Sequence, residues 1–385
     1  MSDQEKQFCM RCVMDTAAST IVFDKNGECN FCKLHDGMDK NFPLHGDESN
    51  LLPGILDGIR AKGKGKKYDC VLGISGGRDS TYLLYLAKTW GLNPMVVHFN
   101  DGWGNPVCGE NMKKATDKLQ MDFKIVTSDW RESKDIKIAF LKASVPEMDL
   151  GTDLGIATTL YSVAAKEKIK TVLIGNSYRT EGIMPLIWSY MDGTYLHSVH
   201  KKFGSMQLRK WKPEEPGFNM SLYNIFYYTV LKGIKTIPIL NYVNYKREEV
   251  GGLLESELDW KDTKGRYFDD LYHGFMSKIL REKFNVDFRK TAFSALIRSG
   301  QMSREDALEQ LNTIQGSEDP KIISLAIERL GITEEQLNEW LAKPTKNFKD
   351  YKTDYDIIKL FRLPIYFLSR LNILPPIAYD KYFYT

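Results

Sequence analysis

A chain of 385 residues, 43% hydrophobic and 27% charged, exceeds what one small core organises and has the make-up of ordinary globular protein, so two or three packed units are expected. Its 53 basic and 50 acidic residues leave a formal charge of +3, too small to demand a polyanion, so nucleic acid is not suggested as a partner. The polar stretch Met1 to Met10 and the absence of any run of eighteen uncharged apolar residues argue against a signal peptide and integral membrane insertion, and predict a cytoplasmic location.

Four of the six cysteines fall within the first 32 residues, as Cys9-Met10-Arg11-Cys12 and Cys29-Asn30-Phe31-Cys32. Ser19 to Phe23, followed by the turn Asp24 to Gly27, predicts a short strand that brings the two CxxC knuckles together. Four thiolates satisfy a tetrahedral zinc ion and leave no open position, so residues 1–45 are expected to form a zinc-ribbon module with structural Zn2+. A redox pair or an iron–sulfur cluster is the alternative. Neither His35 nor His45 is needed as a ligand, and both are expected at the surface. Residues 46–67, with Pro53-Gly54, a short apolar helix and the basic run Lys62 to Lys67, read as a linker.

Residues 68–235 alternate in type. Cys70 to Ile74, Pro94 to Phe99, Phe123 to Val126 and Thr171 to Ile174 predict buried strands, and Ser80 to Trp90, Glu110 to Leu119 and Asp153 to Lys166 the helices between them. The fold class is therefore α/β, a doubly wound parallel sheet. Cys70 is expected in the core and Cys108 in a loop, where a thiol can react. After Ile187 the texture turns irregular and aromatic, through Trp211 and Pro213 to Pro216, before a helical stretch at Tyr223 to Leu231. Residues 236–385 are mainly helical by their caps: Ser303-Arg304-Glu305-Asp306, Asp319-Pro320 and the capping box Thr333 to Gln336. The segment Ile357 to Tyr384, with Leu360, Phe361, Ile365, Phe367 and Tyr382, is expected to pack on the core, with a membrane-surface or partner-docking face as the other reading.

Ser75-Gly76-Gly77-Arg78-Asp79-Ser80 lies between the first predicted strand and its helix. Glycines there admit close backbone approach, successive N–H groups form a nest and the helix N-terminus favours an anion, so phosphate binding is expected. The loop is neither GxxxxGK[ST] nor GxGxxG. It resembles the SGGxDS loop of the ATP-pyrophosphatase (PP-loop) superfamily, which includes GMP synthetase, asparagine synthetase, NAD synthetase and the tRNA thiolation enzymes and forms adenylates with release of pyrophosphate. The resemblance implies that Ser75, Gly76, Gly77, Arg78 and Ser80 hold the phosphates of ATP and that Asp79 positions Mg2+. It also implies adenine at His98 and Phe99, and an α-phosphate approach at Gly175 and Asn176.

Over nearly its whole length the chain resembles the N-acetyl sugar amidotransferases of surface polysaccharide (lipopolysaccharide, O-antigen) and flagellin-glycan biosynthesis. Cys9 to Thr16, Cys29 to Cys32, Gly73 to Ser80, Asp101-Gly102-Trp103, Gly175-Asn176-Ser177 and Ile297 to Glu305 carry the likeness. The resemblance implies that the oxygen of a sugar N-acetyl group is adenylated and replaced by ammonia, giving an acetamidino sugar, AMP and pyrophosphate. Positioned charge, with Asp79, Ser75, Ser80 and Arg179 as catalytic candidates, would supply the work. No glutaminase nucleophile is legible, since Cys108 does not sit in GxCxG, so a class I glutaminase subunit, with or without a cyclase-like barrel subunit, is expected to supply ammonia. For the sugar-nucleotide substrate, Arg179, Glu181, Trp103, Lys264 and Arg266 are the candidates, with Tyr267 beside them. The competing readings are a tRNA thiolation enzyme, which needs spare reactive cysteines, and a sugar-nucleotide binder without catalysis.

Overall fold

The computed structural model describes residues 7–211, 217–263, 269–313, 319–371, 374 and 376–384. In chain order, α1 (Asn30–Asn41) and α2 (Leu52–Gly63) precede β1 (Cys70–Gly73), α3 (Arg78–Thr89), β2 (Pro94–Asn100), α4 (Pro106–Leu119) and β3 (Phe123–Thr127). Next come α5 (Trp130–Ala143), α6 (Leu150–Lys166), β4 (Thr171–Ile174), α7 (Gly193–Phe203), the short α8 (Leu222–Phe226) running into a π-helical turn at Tyr227–Leu231, and β5 (Lys235–Pro238). The rest of the described chain is helical: α9 (Arg247–Leu258), α10 (Leu271–Phe284), α11 (Arg289–Arg298), α12 (Arg304–Asn312), α13 (Pro320–Leu330), α14 (Glu334–Ala342), α15 (Tyr355–Leu360), α16 (Arg362–Arg370) and α17 (Pro376–Tyr384).

The strands form one parallel sheet in the order β3-β2-β1-β4-β5, with Leu72 in register with Val96 on one side and Leu173 on the other. Helices on both faces explain why β1 and β4 are near-continuous apolar runs. Val71, Val97 and Val172 face Leu154, Leu160 and Val163 of α6, while Leu72, Val96 and Leu173 face a second core built from α2, α3, α4 and α9. Strand order reverses between β1 and β4, which is where sheets of this kind open a crevice beyond their C-terminal ends.

The stretch 46–67 is not a free linker, because Leu52, Leu56 and Ile59 of α2 are buried in that second core. Nor do residues 19–23 form a strand: the only pairing there among the described residues is a bridge from Phe23 to Cys29, and Asp24 instead caps the turn through Asn26 N and Glu28 N. Besides α1, which begins within the second CxxC pair, α5, α7 and β5 escaped the sequence reading. In α5 the buried face carries Glu132, Ser133, Asp135 and Lys137, so the apolar period that marks a helix is broken by polar residues. The aromatic and histidine content of α7 hid its period, and β5 is a four-residue edge strand ending in Pro238, a residue that an edge tolerates.

The C-terminal segment divides. Tyr382 of α17 packs against Tyr190 and donates a hydrogen bond to Met191 O, as expected of a helix on the core. Leu360, Leu363, Phe367 and Leu371, by contrast, form an exposed stripe along α15 and α16, so core packing does not account for these residues. Among the described residues no helix is long and apolar enough to cross a membrane.

Candidate active site and metal centre

The phosphate loop stands at the point where strand order reverses. Gly76 has φ +81°, and a Cβ added there would lie 2.1 Å from Cys108 O, so the residue answers both a left-handed turn and a close approach. Gly77 is the N-cap of α3. The loop is shaped by its own hydroxyls: Ser75 N donates to Ser80 Oγ at 3.1 Å, and Ser75 Oγ lies 3.1 Å from Ser80 Oγ. At the end of β4, a Cβ on Gly175 would sit 3.1 Å from Ser80 N, so the two strand ends meet at the start of α3. Backbone N–H groups and a helix N-terminus converge there, the arrangement that suits a phosphate.

Asp79, in the first turn of α3, accepts a hydrogen bond from Tyr245 Oη. Burial, and then Asp79 itself, drive the Tyr245 phenol well above its ordinary range, so it remains a donor. The His98 ring lies at the end of β2 with Nδ1 2.9 Å from Ile74 O, and burial lowers its pKa. Asn176 is exposed and donates to Glu181 Oε2 at 2.9 Å. These residues line the same edge of the sheet.

Several expected ligand contacts are packing residues instead. Phe99 is buried against Phe218 and Trp211, its ring 2.3 Å from where a Gly155 Cβ would be, so it does not face adenine. Trp103 is fully buried between Trp130 and Tyr272 with the Arg329 guanidinium 4.6 Å from its ring, which makes it a loop anchor and removes it as a sugar platform. The Arg78 guanidinium turns from the loop to Arg247 O and Asp262. Arg179, expected as a substrate cation, is 7% exposed. It donates to Asn241 O and Phe42 O at 2.8 Å each and to Asp39 at 3.0 Å, bolting α1 to the segment after β4. Arg179→Ala is therefore expected to cost about 2–3 kcal/mol of stability, read as a lowered denaturant midpoint, because two buried carbonyls lose a charged donor. Lys264, Arg266 and Tyr267 lie outside the described residues, as does the Pro213 to Pro216 segment.

The sequence reading missed a buried ionic network beside the loop. Lys137 contacts Asp149, lies 3.3 Å from Asp101 and 2.9 Å from Thr152 Oγ1, and places its ammonium 4.1 Å from the Tyr272 ring centroid. His273 Nε2 is 3.3 Å from Asp149. Burial opposes ionisation of Asp149, but Lys137 and then His273 hold its carboxyl below the usual range. Burial, reinforced by Asp101, pushes Asp270 up to about 7, a value matched to proton transfer near neutrality. The network adjoins the phosphate loop, since Gly104 pairs with Asp270 and Asp269 lies 2.5 Å from where a Gly77 Cβ would be. One sequence signal existed: Lys137 lies in the same helical register as Ser133 and Phe140, both buried, where an unpartnered lysine does not belong.

The four N-terminal cysteines are buried with their sulfurs all within 4.8 Å of one another. The Cys9–Cys32 and Cys12–Cys29 sulfur separations are 3.8 Å and the Cys29–Cys32 separation 3.7 Å. A tetrahedron of thiolates around one ion, at metal–sulfur bonds of about 2.3 Å, has edges of about 3.8 Å, so the donor set fits a single tetrahedral ion. The centre is not confined to the N-terminal residues. Arg298 Nη2 lies 3.1 Å from Cys12 Sγ and its Nε 3.3 Å from Cys32 Sγ, Arg304 donates to Cys9 O and Cys12 O, and Lys290 pairs with Asp15 at 2.5 Å. His35 is not at the surface; it is buried edge-on to Tyr178, and burial lowers its pKa to about 4. His45 is exposed as expected. Cys70 is buried in β1, and burial raises its thiol pKa. Cys108 lies in the first turn of α4 and not in a loop; burial, and then Asp269, raise its pKa too, which disfavours the reactive thiolate.

Comparison with known proteins adds a direction. Residues 261–363 match the family described as LPS biosynthesis protein WbpG-like, C-terminal domain. That span runs from α10 into the start of α16 and holds Asp270, His273, Lys290, Arg298 and Arg304, so it supplies side chains to both centres. An uncharacterized protein of Methanocaldococcus jannaschii is 24% identical over 273 residues, covering 70% of this chain and 79% of its own length. Two solved structures are similar at 15% identity. One is a predicted subunit of tRNA methyltransferase from M. jannaschii (TM-score 0.27, covering 57% of this chain and 89% of that one). The other is the U34-tRNA thiolase NcsA from Methanococcus maripaludis with its [4Fe-4S] cluster (TM-score 0.30, covering 89% of this chain and 100% of that one).

Proposed function

We propose that the chain is an ATP-dependent amidotransferase of surface-polysaccharide synthesis, acting in the cytoplasm on a nucleotide-linked or acidic N-acetyl sugar. The observation that carries this reading is the juxtaposition at Gly77: the phosphate loop of the α/β sheet meets Asp269, whose chain neighbour Asp270 bridges to Gly104, and both belong to the span that matches a lipopolysaccharide-biosynthesis family. The acetamido oxygen attacks the α-phosphorus of ATP, pyrophosphate departs, and an O-adenylyl imidate results. Ammonia then attacks the imidate carbon, AMP leaves, and the nitrogen gives its surplus proton to a neighbouring base, a task that suits Asp270. The loop N–H groups and Ser75 and Ser80 orient the phosphates, and close positioning compensates for a weak amide nucleophile. Mg2+ beside Asp79 would offset phosphate charge. Zn2+ in the cysteine centre would be structural, because four thiolates leave it no open position.

Nitrogen over sulfur is supported by the cysteines outside the metal centre: Cys70 and Cys108 are both buried with raised thiol pKa values. The test incubates the chain with ATP, ammonium and a panel of UDP- and CMP-linked N-acetyl sugars, and follows pyrophosphate and exchange of oxygen for NH by mass. Turnover with ammonium salts but not with glutamine is expected, and Cys108→Ser should leave it intact. Glutamine-dependent turnover by the chain alone would remove the separate glutaminase, with its barrel subunit. Pyrophosphate release that requires tRNA and a sulfur donor would overturn the amidotransferase.

A further inference from the structure

The cysteine centre and the phosphate loop are joined by a short, fully bonded path. Tyr245, 1% exposed, donates to Asp79 and stacks on Tyr82 of α3 with ring centroids 5.5 Å apart. Its own carbonyl accepts from Gln301 Nε2 at 3.0 Å, and Gln301 Oε1 accepts from Arg247 N at 3.0 Å, so one amide clamps both sides of the α9 N-cap. Gln301 is itself fixed by a tight helix end: Gly300 has φ +70°, and Gln301 N donates to Leu296 O at 2.8 Å. That geometry, a helix closed by a left-handed glycine, leaves little play between Gln301 and Arg298. Ser299 Oγ between them donates to Arg179 O at 2.8 Å, in the segment that follows β4. Arg298 ends on the cysteine sulfurs.

We propose that Tyr245 and Gln301 are positioning residues through which the metal-loaded cysteine centre holds Asp79, so that the metal and MgATP bind cooperatively. A divalent ion on four thiolates leaves a net charge of about −2, and the half-buried Arg298 guanidinium is its counter-charge. Removing the ion changes the charge that Arg298 faces, and in the proposed coupling the guanidinium re-seats and the α11 end moves with it. Gln301, Tyr245 and the Asp79 carboxylate follow in turn. By linkage the effect is reciprocal: whatever factor the metal adds to MgATP affinity, MgATP adds to metal affinity, about 5- to 150-fold in typical coupled sites.

The inference rests on the reading of Asp79 as a group of the MgATP site. Its test measures MgATP binding by calorimetry on the full chain, zinc-loaded and chelator-stripped, and zinc affinity by competition with a chromophoric chelator, with and without MgATP. Stripping should raise the Kd for MgATP about tenfold, and saturating MgATP should lower the Kd for zinc by the same factor. Gln301→Ala, zinc-loaded and folded by circular dichroism, should bind MgATP more weakly and lose the reciprocal effect on zinc. Tyr245→Phe should raise the KM for MgATP and its magnesium requirement more than it lowers kcat. Equal MgATP affinity with and without zinc, or an intact coupling factor in Gln301→Ala, would overturn the proposal. If the stripped chain unfolds, the zinc-loaded variants still decide. Failure of the zinc-loaded wild type to bind MgATP at all would overturn the proposed function itself.

Discussion

Asp79→Asn is expected to reduce pyrophosphate release by about 10²–10³-fold while the fold survives. The substitution is nearly isosteric, and the amide oxygen can still accept from Tyr245 Oη, so the first turn of α3 loses no packing. What disappears is the negative charge, and with it the hard oxygen ligand that the proposed function assigns to magnesium. In the proposed reaction phosphate charge develops before ammonia is involved, so the loss should appear in the adenylation step. Single-turnover pyrophosphate release in the presence of sugar and ATP, without ammonium, therefore isolates the step. Circular dichroism and the denaturant midpoint serve as the control for folding, and unchanged turnover would remove Asp79 from the mechanism.

Lys137→Met is expected to destabilise the chain by about 3–5 kcal/mol, because it removes the ammonium shared by two buried carboxylates and leaves His273 as the basic group beside Asp149. Asp101 and Asp149 are 5% and 7% exposed, so water cannot take the place of the ammonium. The pH dependence gives a sharper signature. In the wild type the Asp149 pKa lies below its unfolded value, so its stabilisation is present above that unfolded value and is lost as pH falls through the folded one. In the variant His273 remains beside Asp149, but burial without the Lys137 ammonium is expected to raise the carboxyl pKa above the unfolded value, and stability should increase as pH falls. The gap between variant and wild type in urea unfolding should therefore narrow from about pH 7.5 to about pH 5.5. Lys137→Met combined with Asp149→Asn should recover part of the loss, and a constant gap across that range would show that lost packing, not charge, sets the cost.

The two expectations differ in where their residues were visible. Asp79 stands in a contiguous loop whose glycines, hydroxyls and following helix are all local. Lys137 was hidden because its helix buries four polar side chains and so lacks the apolar stripe by which helices are found. Phe99, Trp103 and Arg179 show the opposite failure. Aromatic and guanidinium groups suit a ligand and a packed interior equally well, and only the neighbours that each one meets distinguish the two.

By itself the sequence determined the parallel α/β sheet, the phosphate loop at the end of β1 and the four-cysteine donor set, because each is written in short runs whose spacing dictates geometry. Tertiary structure decided which groups serve them. Tyr245 reaches Asp79 across 166 residues and Arg298 reaches Cys12 across 286. A buried charge is matched by whatever the fold brings within hydrogen-bond distance, and spacing along the chain carries no record of that choice.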